Sequence, residues 1–382
     1  MSPSLDKKIA ILLWTLLCAA VVFYLIHTDL GRSLAYWYFD AGHHWLQGQA
    51  LYNTRGTGFI YFPQAAIFFA PFSLMPKAPA ETLWRAISLA VYLYALLEYV
   101  RLFPRAEKQR PWIALMSLFT AALAFSSLRN GQMNLLLTGL TLLGLTTIAA
   151  KHYWRSAILL TLSVALKPTA LVWLLLAFAL FSPLRLRLII AVLIAAILPF
   201  ILQSPHYALT QYGACWQMLQ YAFHYGTSVY SHWAQFFGLL QTFGLTLPQA
   251  LALPVELVAG LVVLYLSYRC LRLERAQAVI LIFALAASYL MLFNPRTENN
   301  DYVILAPALA YFANSAWQNR QNVRLGFFVA LLIMILGSYS IGHHLTPGYV
   351  SWLSPLAALL FAVYLIVTVC VKTRTRLHAP SQ

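Results

Sequence analysis

Runs of roughly 20 apolar residues recur along the whole chain, and no other feature limits its fold so sharply. Inside hydrocarbon every backbone N–H and C=O must find a partner within the spanning structure, which leaves helices or closed barrels. These runs are continuous rather than alternating, so they predict an all-α integral membrane protein. Composition agrees: 61% of the residues are hydrophobic and only 9% charged, too few polar side chains to coat a soluble globule of 382 residues. The formal net charge of +15 would suggest nucleic acid in a soluble protein. Here the basic residues cluster between apolar runs, where they orient the chain and meet anionic headgroups, so the partner is the lipid bilayer and not nucleic acid.

The run from Ile9 to Ile26 follows Lys7 and Lys8 but lacks a small-residue cleavage site, and it reads as an uncleaved first span. Further runs lie near 81–102, 111–128, 132–150, 185–203, 250–269, 276–293, 302–317, 325–342 and 350–371. Between Trp154 and Phe181 the chain is apolar but broken at Lys167-Pro168, which predicts two short helices. Phe59–Met75 carries Pro63 and Pro71 and is followed by Pro76, which favours a bent or re-entrant hairpin over a span. The sum is a single polytopic bundle over 1–382 with about 12 transmembrane helices. Its large outer loops cover about 28–80 and 204–249, the first of them holding an interfacial helix and the hairpin. With both termini cytoplasmic, only Arg32, Arg55, Lys77, Arg85, Arg129, Lys167 and Arg296 among the Lys and Arg residues fall outside, as the positive-inside tendency requires. Cys18, Cys270 and Cys370 sit in or beside apolar runs and Cys215 in a polar loop, so no disulfide framework follows.

Only ten acidic residues exist, so the chemistry can be sought by elimination. Asp6, Glu98, Glu107 and Glu274 fall on the inner side and Glu256 within a span, leaving Asp29, Asp40, Glu81, Glu298 and Asp301 outside. Asp29 follows the first span and suits a cap; Glu81 precedes Arg85 by four residues and suits a local ion pair. Around Asp40, helical spacing puts Leu34, Trp37, Tyr38, Ala41 and Trp45 on one face, and Tyr36, Asp40, His43 and Gln47 on the other. That pattern predicts an aromatic belly on the membrane and a carboxylate facing water, either as a solvated polar face or as a general base. His43 and His44 lack the carboxylate-histidine spacing of a zinc site. Three polar notches interrupt the apolar sequence on the same side: Arg129-Asn-Gly-Gln132-Met-Asn134, Lys167-Pro168, and Asn294-Pro-Arg296-Thr-Glu298-Asn-Asn-Asp301. Each reads as a connecting turn or as part of a site, and a carboxylate with several cations at bilayer depth suits transfer from a phosphate-bearing lipid. Lys167 and Arg296, with Arg129 third, are the candidates for the donor phosphate. His43, Gln132, Asn134, Glu298 and Tyr61 are expected around the substrate. Broken helices with buried cations would also suit a transporter or flippase of an amphiphilic solute, although no internal repeat is evident. No Asp-X-Asp motif is present and no metal or other cofactor is expected.

At these residues the sequence resembles glycosyltransferase family 87, which is similar to the polyprenyl-phosphate-mannose-dependent mannosyltransferases of the GT-C fold. The resemblance rests on Asp40, Gly48-Gln-Ala-Leu-Tyr52, Phe59-Ile-Tyr61-Phe-Pro63 with Pro71 and Pro76, Gly131-Gln132-Met-Asn134, Leu166-Lys167-Pro168, and Asn294-Pro295-Arg296 before Tyr302, in that order. It implies an inverting transferase of the plasma (inner) membrane, working on the periplasmic or extracellular face in cell-envelope glycolipid biosynthesis. A polyprenyl-phosphate sugar would be the donor, a glycolipid or glycan the acceptor, and Asp40 the general base. Relatives with Trp and His in the late loop differ from this chain, which has Glu298, Asn300 and Asp301, so a late-loop histidine role is not implied. An oligosaccharide polymerase or ligase drawing on a lipid diphosphate is the rival within the same chemistry.

Overall fold

The computed structural model describes residues 3–27, 33–53, 58–226, 233–345 and 351–375. Asp29, Arg32, Arg55 and Arg376 lie outside the described residues, as does the side chain of Glu107. Among the described residues there is no strand. In chain order the helices are α1 (Pro3–His27), α2 (Ala35–Gln47), α3 (Pro63–Ser73), α4 (Lys77–Arg101), α5 (Ile113–Arg129), α6 (Asn134–Ala149), α7 (Tyr153–Leu166) and α8 (Leu171–Leu180). They continue with α9 (Arg185–Leu202), α10 (Pro205–Gly226), α11 (Phe236–Thr242), α12 (Gln249–Cys270), α13 (Arg275–Phe293), α14 (Ala306–Gln318), α15 (Asn322–Leu345) and α16 (Leu353–Thr375). Seven helices, α1, α4, α9, α12, α13, α15 and α16, contain a stretch long and apolar enough to cross a bilayer. The shorter apolar helices α5 to α8 add 10 to 17 residues each. The chain is a multi-pass helical membrane protein.

Proline sets several of the breaks. Lys167 precedes Pro168 and is held extended at φ −142° and ψ 115°, which ends α7 at Leu166; a 3₁₀ turn over Pro168–Ala170 then starts α8. The expected pair of short helices is therefore present. Over 59–75, where a bent or re-entrant hairpin is expected, the chain forms the single helix α3, opened by Pro63 at its first turn and with Pro71 inside it. The run near 302–317 also divides: a 3₁₀ segment over Asn299–Ile304 precedes the 13-residue α14, which is buried along most of its length. The stretch 204–249 is not an open loop, because α10 and α11 fill much of it and Cys215 is buried inside α10.

The chain forms two compact units. The first combines Met1–Ile26, Tyr99–Ser126 and Gly226–Gln382. Its central helix is α13, whose apolar window is 78% buried, against 17% for that of α1. Here Asp6 at the start of α1 accepts the N–H groups of Trp112, Ile113 and Ala114 at 3.0, 2.9 and 3.0 Å, capping α5 from another helix. The second unit combines His27–Glu98 and Ser127–Tyr225. Its center is α6, buried along nearly its whole length. Around α6 a core of aromatic and small residues joins α2, α3, the start of α4 and the end of α7, including Tyr38, Trp45, Phe69, Trp84, Met133 and Leu166.

Candidate active site

Helix α2 carries Asp40. Its apolar side packs onto α3: Tyr38 stacks on Phe69 at 5.0 Å, edge-on to Trp84 at 6.1 Å, and Phe39 stacks on Phe72 at 5.7 Å. Gly42 sits where a Cβ would lie 2.7 Å from the Phe69 carbonyl, so only glycine permits this approach. The aromatic belly expected on the membrane is thus buried against protein, because α3 offers a complementary small-residue and phenylalanine surface. Trp37, expected on that face, is 38% exposed, since its position lies at the border of the stripe that α3 covers.

Asp40 is half-buried, and its carboxylate has no hydrogen-bond or ion-pair partner among the described residues. One turn on, the Gln47 amide nitrogen lies 2.8 Å from His43 Nε2 on the exposed side. At Gly48, φ 66°, the chain leaves the helix and is tied down on both sides of that residue: Gln203, at the end of α9, donates to the Trp45 carbonyl at 2.8 Å, and from α10 Tyr207 donates to the Gln49 carbonyl at 2.6 Å while Gln211 accepts from Leu51 N–H at 3.0 Å. Tyr52 donates to the Tyr61 carbonyl at 2.6 Å, joining the Gly48–Tyr52 and Phe59–Pro63 segments. The Tyr61 hydroxyl, 3.3 Å from that of Tyr38, lies in the same core. Burial pushes the Cys215 thiol up, which suits a packing role rather than a nucleophile.

The turn between α5 and α6 is built on Arg85. This buried side chain donates to the carbonyls of Leu128 at 2.9 Å, Arg129 at 3.0 Å and Glu81 at 3.1 Å, to Ser33 Oγ at 3.2 Å, and to the Glu81 carboxylate. Ser33 donates to Glu81 at 2.8 Å, Trp84 to the Gly131 carbonyl at 2.8 Å, and Leu34 N–H to the Asn130 carbonyl at 3.0 Å. Gly131, at φ 60°, has Ser33 Oγ 2.8 Å from where its Cβ would stand. The Glu81–Arg85 ion pair expected from spacing is present. It also closes the carbonyl end of α5 and pins the turn to the entrance of α2, a role that nothing in the local sequence announces. Beyond the turn, Asn134 donates to Gln132 at 2.6 Å, and Lys167 donates to the Asn134 amide oxygen. Gln132, Asn134 and Lys167 therefore form one chain of contacts, with Met133 and Leu166 anchored in the core that holds α2. Arg129 lies half-buried beside it, its Nε donating to Asn130 at 3.0 Å.

In the other unit the late turn follows α13. The Arg296 guanidinium lies 5.9 Å over the Trp233 ring. Asp301 accepts the Glu298 N–H at 2.7 Å while the Glu298 side chain accepts the Asp301 N–H, a capping box for the 3₁₀ segment. Glu298 also accepts from Asn300 at 3.3 Å, and Thr297 O from Ala234 N–H at 2.8 Å. Among the described residues no group of three or more His, Cys, Asp and Glu could hold a metal ion.

No curated protein matches the chain. The family model for Glycosyltransferase family 87 matches residues 59–295, which takes in Tyr61, Arg129, Gln132, Asn134 and Lys167, leaves Asp40 and His43 ahead of it, and ends one residue before Arg296. With more than half of its length matched, the chain belongs to glycosyltransferase family 87.

Proposed function

We propose that this glycosyltransferase moves a hexose, mannose by family resemblance, from a polyprenyl-phosphate sugar to a glycolipid or glycan acceptor. The work is done on the outer face of the plasma membrane, with both termini cytoplasmic and α5 to α8 contributing further crossings to a total of about 12. The observation that carries this reading is the Asp40 carboxylate: half-buried, without a partner among the described residues, and mounted on a helix that Gly42 seats directly on α3. Asp40 takes the proton of the acceptor hydroxyl as that oxygen attacks the anomeric carbon. The bond from that carbon to the phosphate oxygen breaks in the same step, the configuration inverts, and the lipid phosphate departs with the electron pair. Lys167 and Arg296 meet the charge growing on the phosphate, with Arg129 as a further cation. His43, Gln132, Asn134, Glu298 and Tyr61 belong to the surroundings of the substrate. Among them, Asn134 holds the Lys167 ammonium in place.

The test is transfer by purified protein supplied with polyprenyl-phosphate hexoses and a panel of glycolipid acceptors, with polyprenyl-diphosphate oligosaccharide as the comparison donor. Asp40→Asn should lower turnover by about 10²–10⁴ while thermal unfolding stays at the wild-type temperature. Near-normal turnover in that variant removes Asp40 from the mechanism, and preference for the diphosphate donor makes the protein a polymerase or ligase.

A further inference from the structure

Within the first unit, α14, α15 and α16 line a partly open cavity of about 210 Å³. Arg324 and Lys372 line it together with Ser315, Thr368, Tyr311 and Tyr364, and none of its lining residues is acidic. Gln321, also in the lining, accepts from Arg324 at 2.9 Å. Two cations and several hydroxyl groups in one lining select an anion with several acceptor oxygens, and the volume falls below the roughly 300–1,000 Å³ of a site for a whole drug-sized ligand. From Lys372 an exposed apolar stripe leads away along α16 at one-turn spacing through Val371, Val367 and Val363, which are 57%, 57% and 52% exposed. The first two of these valines also line the cavity. We propose that this cavity binds the phosphate headgroup of an anionic membrane lipid, with an acyl chain lying along the valine stripe. A free phosphate ion shares the headgroup chemistry but has no use for the stripe.

Native mass spectrometry of the detergent-purified protein distinguishes the two sources, using phosphatidylglycerol, phosphatidylcholine and inorganic phosphate as probes. Wild type should retain phosphatidylglycerol over phosphatidylcholine. Arg324→Ala with Lys372→Ala should weaken that retention by about thirtyfold, given the usual contribution of two basic residues at an anionic surface. Thr368→Trp keeps both cations but fills the space, and should release the lipid as well. Arg105→Ala with Lys108→Ala removes the same charge elsewhere and should leave retention unchanged. Equal loss in that control pair, undiminished retention in Thr368→Trp, or displacement of the lipid by equimolar inorganic phosphate would each overturn the proposal.

Discussion

Each unit is built around a largely buried apolar helix, α6 or α13, and each of these meets a polar turn at one end. The turns solve the same problem differently. After α13, Glu298 and Asp301 cap a 3₁₀ segment within three residues of each other, so the acids of that turn are spent on its own backbone. Before α6, the charged partners come from far along the chain: Arg85 reaches the end of α5 across 43 and 44 residues and Ser33 across 52, and Lys167 reaches Asn134 across 33. The late turn is capped locally and reaches other elements through Thr297 O, which accepts from Ala234 N–H at 2.8 Å, and Asn299 Oδ1, which accepts from Ser354 Oγ at 2.9 Å. The turn assembled from α2, α4, α6 and the break after α7 fixes their mutual positions, and so the frame on which Asp40 and Lys167 are carried.

The sharpest way to break this contrast is Arg85→Ala. It strips three carbonyls and leaves the buried Glu81 carboxylate with Ser33 as its remaining partner among the described residues, which should cost about 3–5 kcal/mol in unfolding experiments and abolish transfer. Wild-type stability would show that the turn is held by something else. Gly131→Ala should cost about 1–3 kcal/mol, because the residue is at positive φ and the new methyl meets Ser33; a thermal shift assay reads it, and an unchanged melting temperature would mean the turn can open to admit it. Lys167→Ala should raise the apparent KM for donor about tenfold, or lower kcat if the contact tightens in the transition state. Donor titration decides, and an effect on acceptor alone would move the cation to the acceptor's side. Smallest, Asp301→Ala should cost about 0.5–2 kcal/mol, read by thermal unfolding, with turnover altered only in proportion to folded protein.

These two turns also mark where sequence reading reaches its limit. Apolar runs fixed the all-helical class and most of the long helices, because hydrophobicity over 20 residues is a local signal. Lys167-Pro168 was legible for the same reason, since proline acts on the residue before it. Glu81 and Arg85 could be paired by their four-residue spacing, but the carbonyls that Arg85 also holds lie more than 40 residues away. The amphipathic pattern around Asp40 identified the helix and the side from which the carboxylate emerges. What covers the opposite side was not legible, as an aromatic stripe is equally suited to lipid and to α3, and only the close fit of Gly42 on Phe69 separates them. Likewise, α10 lacks the hydropathy of a span, so its sequence offers no hint that Tyr207 and Gln211 will tie down the segment after Gly48.

The Asp6 clamp has a consequence for how the protein is made. Its carboxylate ends up 2% exposed, held by three N–H groups that lie 106 to 108 residues downstream. During synthesis those donors do not exist when the first helix is released. At about 5–20 residues per second, roughly 5–20 s pass before they are translated. Throughout that interval the leading end of the nascent chain must stay hydrated at the bilayer surface, and the arrival of α5 is what allows it to be sealed. The first helix is thus inserted early but locked late, and the order of translation becomes an order of assembly.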